Sequence, residues 1–335
     1  MDFFDALHKV YGIKGTIFQK AYIVNTYLFS KLWFTAQFIK LDEKILNKIL
    51  SKALNFIYAG ENERPVRAIN FRSCQHGGIG LVNPIIKARS LLVKSMNKEL
   101  RGQNGTIYDL DIIKGLYGNI KDFIKIVENG LSTSASKEIY NLMILEVTHR
   151  NTSLIPSRNE KRTVNVKWGT VWKNFKLRTG LTPEEKCFSW KLVQDMLPVG
   201  SRIHRLNAEK RCLVTLNTGN LCQDIQTIEH AFVECPLVKE SYDIIIAILT
   251  SYLQRPVTCS NLVHFSFNHR RKSRLKCALW FSIKALFSIF YGKSFNKSQL
   301  LNDIIKEVDW NLRLNRYVGS LADILDLRSN IVEIV

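Results

Sequence analysis

The chain has 335 residues, of which 46% are hydrophobic and 23% charged, a composition that is typical of a globular protein and excludes a largely disordered chain. Its 48 lysines and arginines against 29 acidic residues give a formal net charge of +19, which favours a polyanionic partner, either nucleic acid or an anionic membrane surface. The seven cysteines follow no disulfide spacing, so we expect free or metal-bound thiols in the reducing nucleus or cytoplasm.

Residues from about Ile17 to Asn97 are predicted to be helical. The most apolar stretch is Ala21–Ile39, whose apolar residues recur at spacings of three and four. Its length would just span a bilayer, but Asn25, Lys31 and Gln37 interrupt it. We therefore predict an amphipathic helix buried along one side, and no membrane partner.

A glycine-rich break follows at His76–Leu81, and a helix is expected from about Ile85 to Leu100. The glycines are not predicted to bind a nucleotide, because no strand precedes them and no Gly-Lys-Ser/Thr follows. They indicate positive φ angles and close backbone packing instead.

The fold class is predicted to be mainly α, in four regions: 1–100, a connector over 101–160, a central module over 161–250 and a helical tail over 251–335. The central module opens with a helical face of Trp168, Val171, Trp172 and Phe175. Further helices are predicted at Pro183–Met196, Glu240–Leu253, Leu275–Tyr291 and Ser298–Leu312.

Cys222, His230 and Cys235 form a Cys-x7-His-x4-Cys cluster inside the central module. Thiolate and imidazole donors suit Zn²⁺, which takes four ligands in a closed structural site. Spacing alone does not identify the fourth ligand. Cys212 is the nearest upstream thiol, and His204 is a poorer substitute. A small core of three polarisable side chains without metal is the alternative.

Basic residues supply the predicted nucleic-acid contacts. The densest run is His269–Lys276, and Lys167 and Lys173 lie beside two tryptophans. The predicted phosphate-binding residues are Arg270, Arg271, Lys272, Arg274, Lys276, Lys167 and Lys173. A solvated face before the next helix, and tryptophans that belong to the core, are the alternatives.

The order of several short motifs resembles the region after the palm, and the zinc-binding domain, of reverse transcriptases from non-LTR (LINE-type) retrotransposons. The motifs of the zinc-binding domain are Trp172-Lys173, Lys186–Leu192, Leu197-Pro198, Arg202, Leu206, Cys222, Glu229-His230 and Cys235-Pro236. The upstream motifs are Asn25, Leu28, Ser30–Phe34, Ala36-Gln37, Phe56–Gly60 and Gly77–Leu81. Together they span about two thirds of the chain.

The resemblance implies a thumb-like helical region over 1–100, the zinc-binding domain over 161–250, and a partner that is RNA, DNA or both. The chain departs from the family pattern at Tyr58, where Trp is usual, and at Gly219, where Cys is usual. The palm is missing, and the nearest approach to its carboxylate pair is Asp109-Leu110-Asp111, which a solvated turn explains. We therefore expect no catalytic residue, no small-molecule substrate and no polymerase activity from this chain alone.

The rival hypothesis is an element-derived protein, used by the host or decayed, whose zinc-like module binds another protein.

Overall fold

The computed structural model describes residues 3–61, 64–100, 166–199, 227–291, 297–313 and 318–333, with residues 137, 140–141, 144, 212, 222 and 224–225. These residues are mainly helical and include no β-strand, which confirms the predicted fold class. The helices are α1 (Phe3–Val10), α2 (Ile17–Ile23), α3 (Ser30–Trp33), α4 (Glu43–Ile57), α5 (Arg67–Phe71), α6 (Pro84–Leu100), α7 (Trp168–Phe175), α8 (Pro183–Val193), α9 (Pro236–Leu253), α10 (Cys259–Val263), α11 (Lys272–Phe290), α12 (Lys297–Arg313) and α13 (Leu321–Val332).

The predicted helices are present within a few residues of their expected ends, whereas α1, α10 and α13 were not predicted. No described helix is long and apolar enough to cross a membrane. Most of the predicted connector over 101–160 lies outside the described residues.

The chain divides into two compact units. One comprises Met1–Ala59 with Ile79–Ile155, and the other comprises Gly60–Gly78 with Pro156–Val335. Residues 60–78 therefore pack with the C-terminal helices, although the sequence prediction placed them in the N-terminal region. The predicted boundaries at 100, 160 and 250 stay predictions.

In the first unit, one helical path runs from α2 through a π-helical segment, Val24–Leu28, and α3 to a 3₁₀ turn at Thr35–Gln37. It starts at a capping box, in which Gln19 donates its backbone N–H to Thr16 Oγ1 and accepts the Thr16 N–H. Within the π segment, the Asn25 side chain donates to the Gly80 carbonyl and accepts from Val82 N–H, at 2.9 Å each. The amide therefore ties the helix to the segment after the glycines.

The inner side of this path is apolar and buried. Leu28 and Phe29 are fully buried, and Ala36 packs in a cluster with Leu46, Ala88 and Leu91 from α4 and α6. This confirms the buried side predicted for 21–39, but the segment is a succession of α, π and 3₁₀ turns that ends at Gln37 and not a single α-helix to Ile39.

In the second unit, α8 is buried on nearly every side. Thr182 and Glu185 form its capping box, and Pro183 occupies the first turn, where its missing N–H costs nothing. Trp190 is fully buried and Phe188 almost so, which makes α8 an internal helix, and it packs against α11, the helix that α9, α12 and α13 also contact.

The glycine-rich segment is a site of close packing, as predicted. Gly77 has a φ of 79°, and a Cβ built on it would lie 2.7 Å from the Trp172 ring. A Cβ on Gly78 would lie 1.9 Å from the carbonyl oxygen of Arg72. The Gly77 carbonyl accepts hydrogen bonds from Trp190 Nε1, at 2.9 Å, and from Gln194 Nε2, at 2.7 Å.

Replacing Gly78 by alanine should destabilise the second unit by about 1–3 kcal/mol, because the methyl group overlaps a backbone atom that cannot rotate away. The matched control is Gly169→Ala in α7, where a Cβ would meet nothing within 4 Å. That exposed helical position should gain up to about 1 kcal/mol. Urea unfolding followed by tryptophan fluorescence measures both, and equal midpoints for the two variants would contradict the packing.

A buried ion triad connects three helices of the second unit. Lys284 of α11 donates to Glu185 Oε1 of α8 at 2.7 Å and also to Glu307 Oε1 of α12. Burial alone would lower the pKa of Lys284, but the two carboxylates outweigh it and raise the pKa. The Glu185 side chain is 7% exposed, so its charge depends on the lysine for compensation.

Lys284→Ala should cost about 3–5 kcal/mol of unfolding free energy, because it leaves the Glu185 carboxylate buried and unpaired. Lys284→Met combined with Glu185→Gln should restore much of that loss. Since the folded pKa of Lys284 is raised, its contribution is complete below its unfolded pKa and falls as pH rises through the folded pKa. Urea unfolding at neutral pH tests this, and a single variant as stable as the double variant would contradict it.

Candidate metal centre

Four side chains of the central module converge on one point. Cys212 Sγ, Cys222 Sγ, Cys235 Sγ and a ring nitrogen of His230 all lie within 4.8 Å of one another. Cys212, His230 and Cys235 are buried and Cys222 is half-buried. The set is the one predicted from the sequence, and it includes Cys212 as the fourth member.

The distances between individual donors are short. Cys212 Sγ lies 3.9 Å from Cys235 Sγ, and Cys222 Sγ lies 3.4 Å from His230 Nε2. None of the three thiols is in a disulfide. Three sulfurs and one imidazole nitrogen can therefore serve together as ligands of a metal ion that accepts thiolate.

A π-helical turn over His230–Glu234 aligns two of the donors. Cys235 N–H donates to the His230 carbonyl at 2.9 Å, which closes a turn over five residues rather than four. Residues five apart in this wider turn lie on the same side, whereas in an α-helix they would diverge. The sequence indicated a helical turn at this spacing but not its π character.

Cys235 is also the N-cap of α9. Pro236 occupies the first position of that 18-residue helix, and the Cys235 carbonyl accepts from Val238 and Lys239 N–H, at 3.0 Å each. Cys235 therefore lies at the N-terminal, positive end of the helix dipole.

Asp224 lies beside three of the four donors, Cys212, Cys222 and His230, and it was not predicted from the sequence. Its backbone carbonyl accepts from Cys212 N–H at 2.8 Å. Its carboxylate oxygen lies 3.7 Å from Cys222 Sγ and 4.0 Å from His230 Nδ1, the ring nitrogen that faces away from Cys222. The carboxylate is 71% exposed and lies beyond hydrogen-bond distance of the imidazole, so the backbone bond to Cys212 is the firm link between Asp224 and the cluster. Its position two residues after Cys222 was the only available signal.

Aromatic side chains support the cluster from behind. Ile228 and Phe232 are buried, and the Phe232 ring stacks on Phe290 with centroids 5.6 Å apart. Phe188 of α8 lies 6.2 Å from the same Phe232 ring. The donors are therefore carried by a packed hydrophobic frame.

The basic run lies at the start of α11, and only some of its side chains are exposed and available to a ligand. Arg270, Arg271 and Lys272 are exposed, whereas Lys276 is half-buried. Arg274 pairs with Asp326 of α13, and its guanidinium stands 4.7 Å from the Tyr252 ring centroid. The first three residues are therefore the available cations.

Lys167 and Lys173 lie exposed at the start and in the last turn of α7. The adjacent Asn174 donates to the carbonyls of Phe265 and Phe267, at 2.8 Å each, which joins α7 to the loop before the basic run. Trp172 is buried, as the core interpretation predicted, and Trp168 stacks on it with centroids 5.7 Å apart.

Several predicted positions lie outside the described residues: Asp109, Asp111, Arg202, His204, Leu206 and Gly219. Two acidic residues of α12 make surface ion pairs, Asp303 with Lys306 at 3.9 Å and Asp309 with Arg328 at 2.6 Å.

No protein-family model matches the chain, and no curated protein matches it.

Proposed function

We propose that the chain binds nucleic acid, as a C-terminal part of a non-LTR retrotransposon reverse transcriptase that lacks the palm, and that a zinc ion holds its central module together. The observation that carries this proposal is the convergence of Cys212 with Cys222, His230 and Cys235. The family pattern departs from this chain at Gly219, and Cys212 supplies the missing fourth ligand. Trp172 and Trp190, two further residues of the resemblance, pack in the same unit.

The distances suit zinc. Four ligands around Zn²⁺ with Zn–S bonds of about 2.3 Å give sulfur–sulfur edges of about 3.8 Å, and slightly shorter edges to nitrogen. The Cys212–Cys235 distance of 3.9 Å and the Cys222–His230 distance of 3.4 Å match two of the six edges of such a tetrahedron, and all four ligand atoms lie within 4.8 Å of one another. Four protein ligands leave no open position, so the ion would have a structural rather than a catalytic role.

The purified chain should bind one Zn²⁺, and Cys212→Ser should weaken binding by more than the roughly 10- to 100-fold that loss of an outer-shell partner costs. Asp224→Asn should change the affinity by less than this, because its carboxylate lies 4.0 Å from the imidazole and its backbone bond to Cys212 is kept. Cys74→Ser, which replaces an exposed thiol outside the cluster, is the matched control. Competition with a chromogenic zinc chelator measures all three. Unchanged affinity for Cys212→Ser would remove this residue from the site.

Positive charge supports the nucleic-acid part of the proposal. The net charge of +19 attracts phosphate, and Arg270, Arg271 and Lys272 form a contiguous exposed group at the start of α11. No base-reading arrangement accompanies these cations, so they should bind the phosphate backbone with little sequence preference.

The affinity of the full chain for RNA or DNA should fall steeply with salt. Replacing Arg270, Arg271 and Lys272 together by alanine should reduce the slope of log affinity against log salt by up to about 2 on a single strand, at about 0.7 per phosphate contact. Lys306→Ala, which removes an exposed lysine from α12, is the control. Fluorescence anisotropy over a salt series measures the slopes.

Two results would contradict the proposal. An unchanged slope in the triple variant would remove the basic run from the interface. If the chain binds no nucleic acid but retains a protein partner in a way that salt does not affect, the rival hypothesis of a protein-interaction module would replace this one.

A further inference from the structure

The outer side of the helical path Ile17–Gln37 exposes aromatic rings. Tyr22 is 69% exposed, Phe34 72% and Phe38 65%, and Phe18 is half-buried on the same side. These residues recur at steps of four on either side of the π-helical segment, with the small polar Thr26 and Ser30 exposed between them. A contiguous group of exposed aromatic rings marks a surface that a binding partner covers and shields from water.

The rings are ordered in two places. Phe34 and Phe38 form an edge-to-face pair with centroids 5.4 Å apart at an interplanar angle of 64°. At the other end, Phe18 and Tyr22 line an open cavity of about 440 Å³ together with Lys14 and Lys20. A flat aromatic ligand can lie against either place.

The charge of this segment has one sign. Between Asp5 and Asp42 the chain contains no acidic residue, whereas it contains five lysines, at positions 9, 14, 20, 31 and 40. Lys31 stands 5.2 Å from the Tyr27 ring centroid on the exposed side. Glu43, the acidic residue next after Asp42, is paired with Arg89. The segment therefore brings no carboxylate that would repel a phosphate.

The opposite side of the path holds these rings in place. Ala21, Val24, Leu28 and Phe29 are buried in the first unit, and Asn25 bonds the segment around Gly80. The rings therefore stand on a rigid support and lose little conformational freedom when a ligand binds.

We propose that this aromatic–lysine face, which consists of Phe18, Tyr22, Phe34 and Phe38 with Lys14 and Lys31, binds single-stranded nucleic acid by stacking its bases on the rings and its phosphates near the lysines. Lys20 is not part of the face, because its ammonium donates to the Ala59 carbonyl at 3.4 Å. The inference rests on the proposed nucleic-acid function, but it assigns a second surface, in the other unit from the basic run. Alternation of rings and cations along one side is how single strands are bound without sequence preference.

Two other ligands fit less well. In a duplex the base faces are already stacked on one another, so the rings would have no base to cover. In a helix that lies on a membrane, the lysines occupy the side opposite the apolar residues. Here Lys14 and Lys31 are exposed as the rings are, and the apolar residues Ala21, Val24, Leu28 and Phe29 are buried in the core of the unit.

The test uses the full chain, fluorescent oligo(dT) and oligo(U), a DNA duplex and vesicles of phosphatidylcholine with phosphatidylserine. Phe34→Ala with Phe38→Ala should weaken binding of the single strands at least about tenfold, while the slope against salt stays unchanged, because stacking releases no counterions. Phe34→Tyr with Phe38→Tyr should keep the affinity. Trp310→Ala, which removes a ring that is 59% exposed in the other unit, is the control.

The outcomes separate this inference from the broader proposal. If the chain binds single strands and the double alanine variant binds them equally well, the aromatic–lysine face is wrong and the proposed function stands. If the chain binds no nucleic acid, both fall. If the variant loses vesicle binding but keeps oligonucleotide binding, the face binds a membrane surface and the inference is overturned. Both replaced side chains are exposed, so unchanged thermal unfolding shows that the variant is folded.

Discussion

The backbone of Gly77 is the constraint on which the second unit depends. Its Cα lies against the Trp172 ring, and its carbonyl accepts from the side chains of Trp190 and Gln194. A side chain at this position would displace the ring, and a lost carbonyl bond would leave a buried indole N–H unpaired. Three segments far apart in the chain therefore meet at one residue that has no side chain. The orientation of α8 follows from this junction.

The orientation of α8 in turn determines what its other faces can contact. Phe188 reaches the aromatic group behind the metal-ligand cluster, and Glu185 reaches the ammonium of Lys284. Because Phe232 belongs to the same π-helical turn as His230, aromatic packing fixes the turn that carries two of the four donors. The two donors carried by this frame, His230 and Cys235, are therefore preorganised for a metal ion.

Sequence periodicity was enough to predict most helices and the buried side of the path from α2 to Gln37, because a helix repeats its burial every three to four residues. The positive φ in the glycine-rich segment could be predicted as well, since glycine adopts it without steric cost. Periodicity identifies a buried face but not its partner. For that reason, the packing of residues 60–78 with the C-terminal helices, and the meeting of Lys284 with Glu185, could not be read from the pattern. Cys212 was selected only as the nearest thiol, and no spacing rule selected Asp224.

The two surfaces proposed to bind nucleic acid would do so through different interactions, charge at the basic run and stacking at the aromatic rings, and these interactions have different consequences. Contacts from Arg270, Arg271 and Lys272 act through charge, so salt weakens them and they contribute most to the rate of encounter. Arg274 is already held by Asp326 and cannot add to them. Stacking on Phe34 and Phe38 depends on exposed base faces and is insensitive to salt. Charge alone would bind duplex and single-stranded nucleic acid without preference. A preference for single strands, if the chain has one, must therefore come from the rings of the first unit.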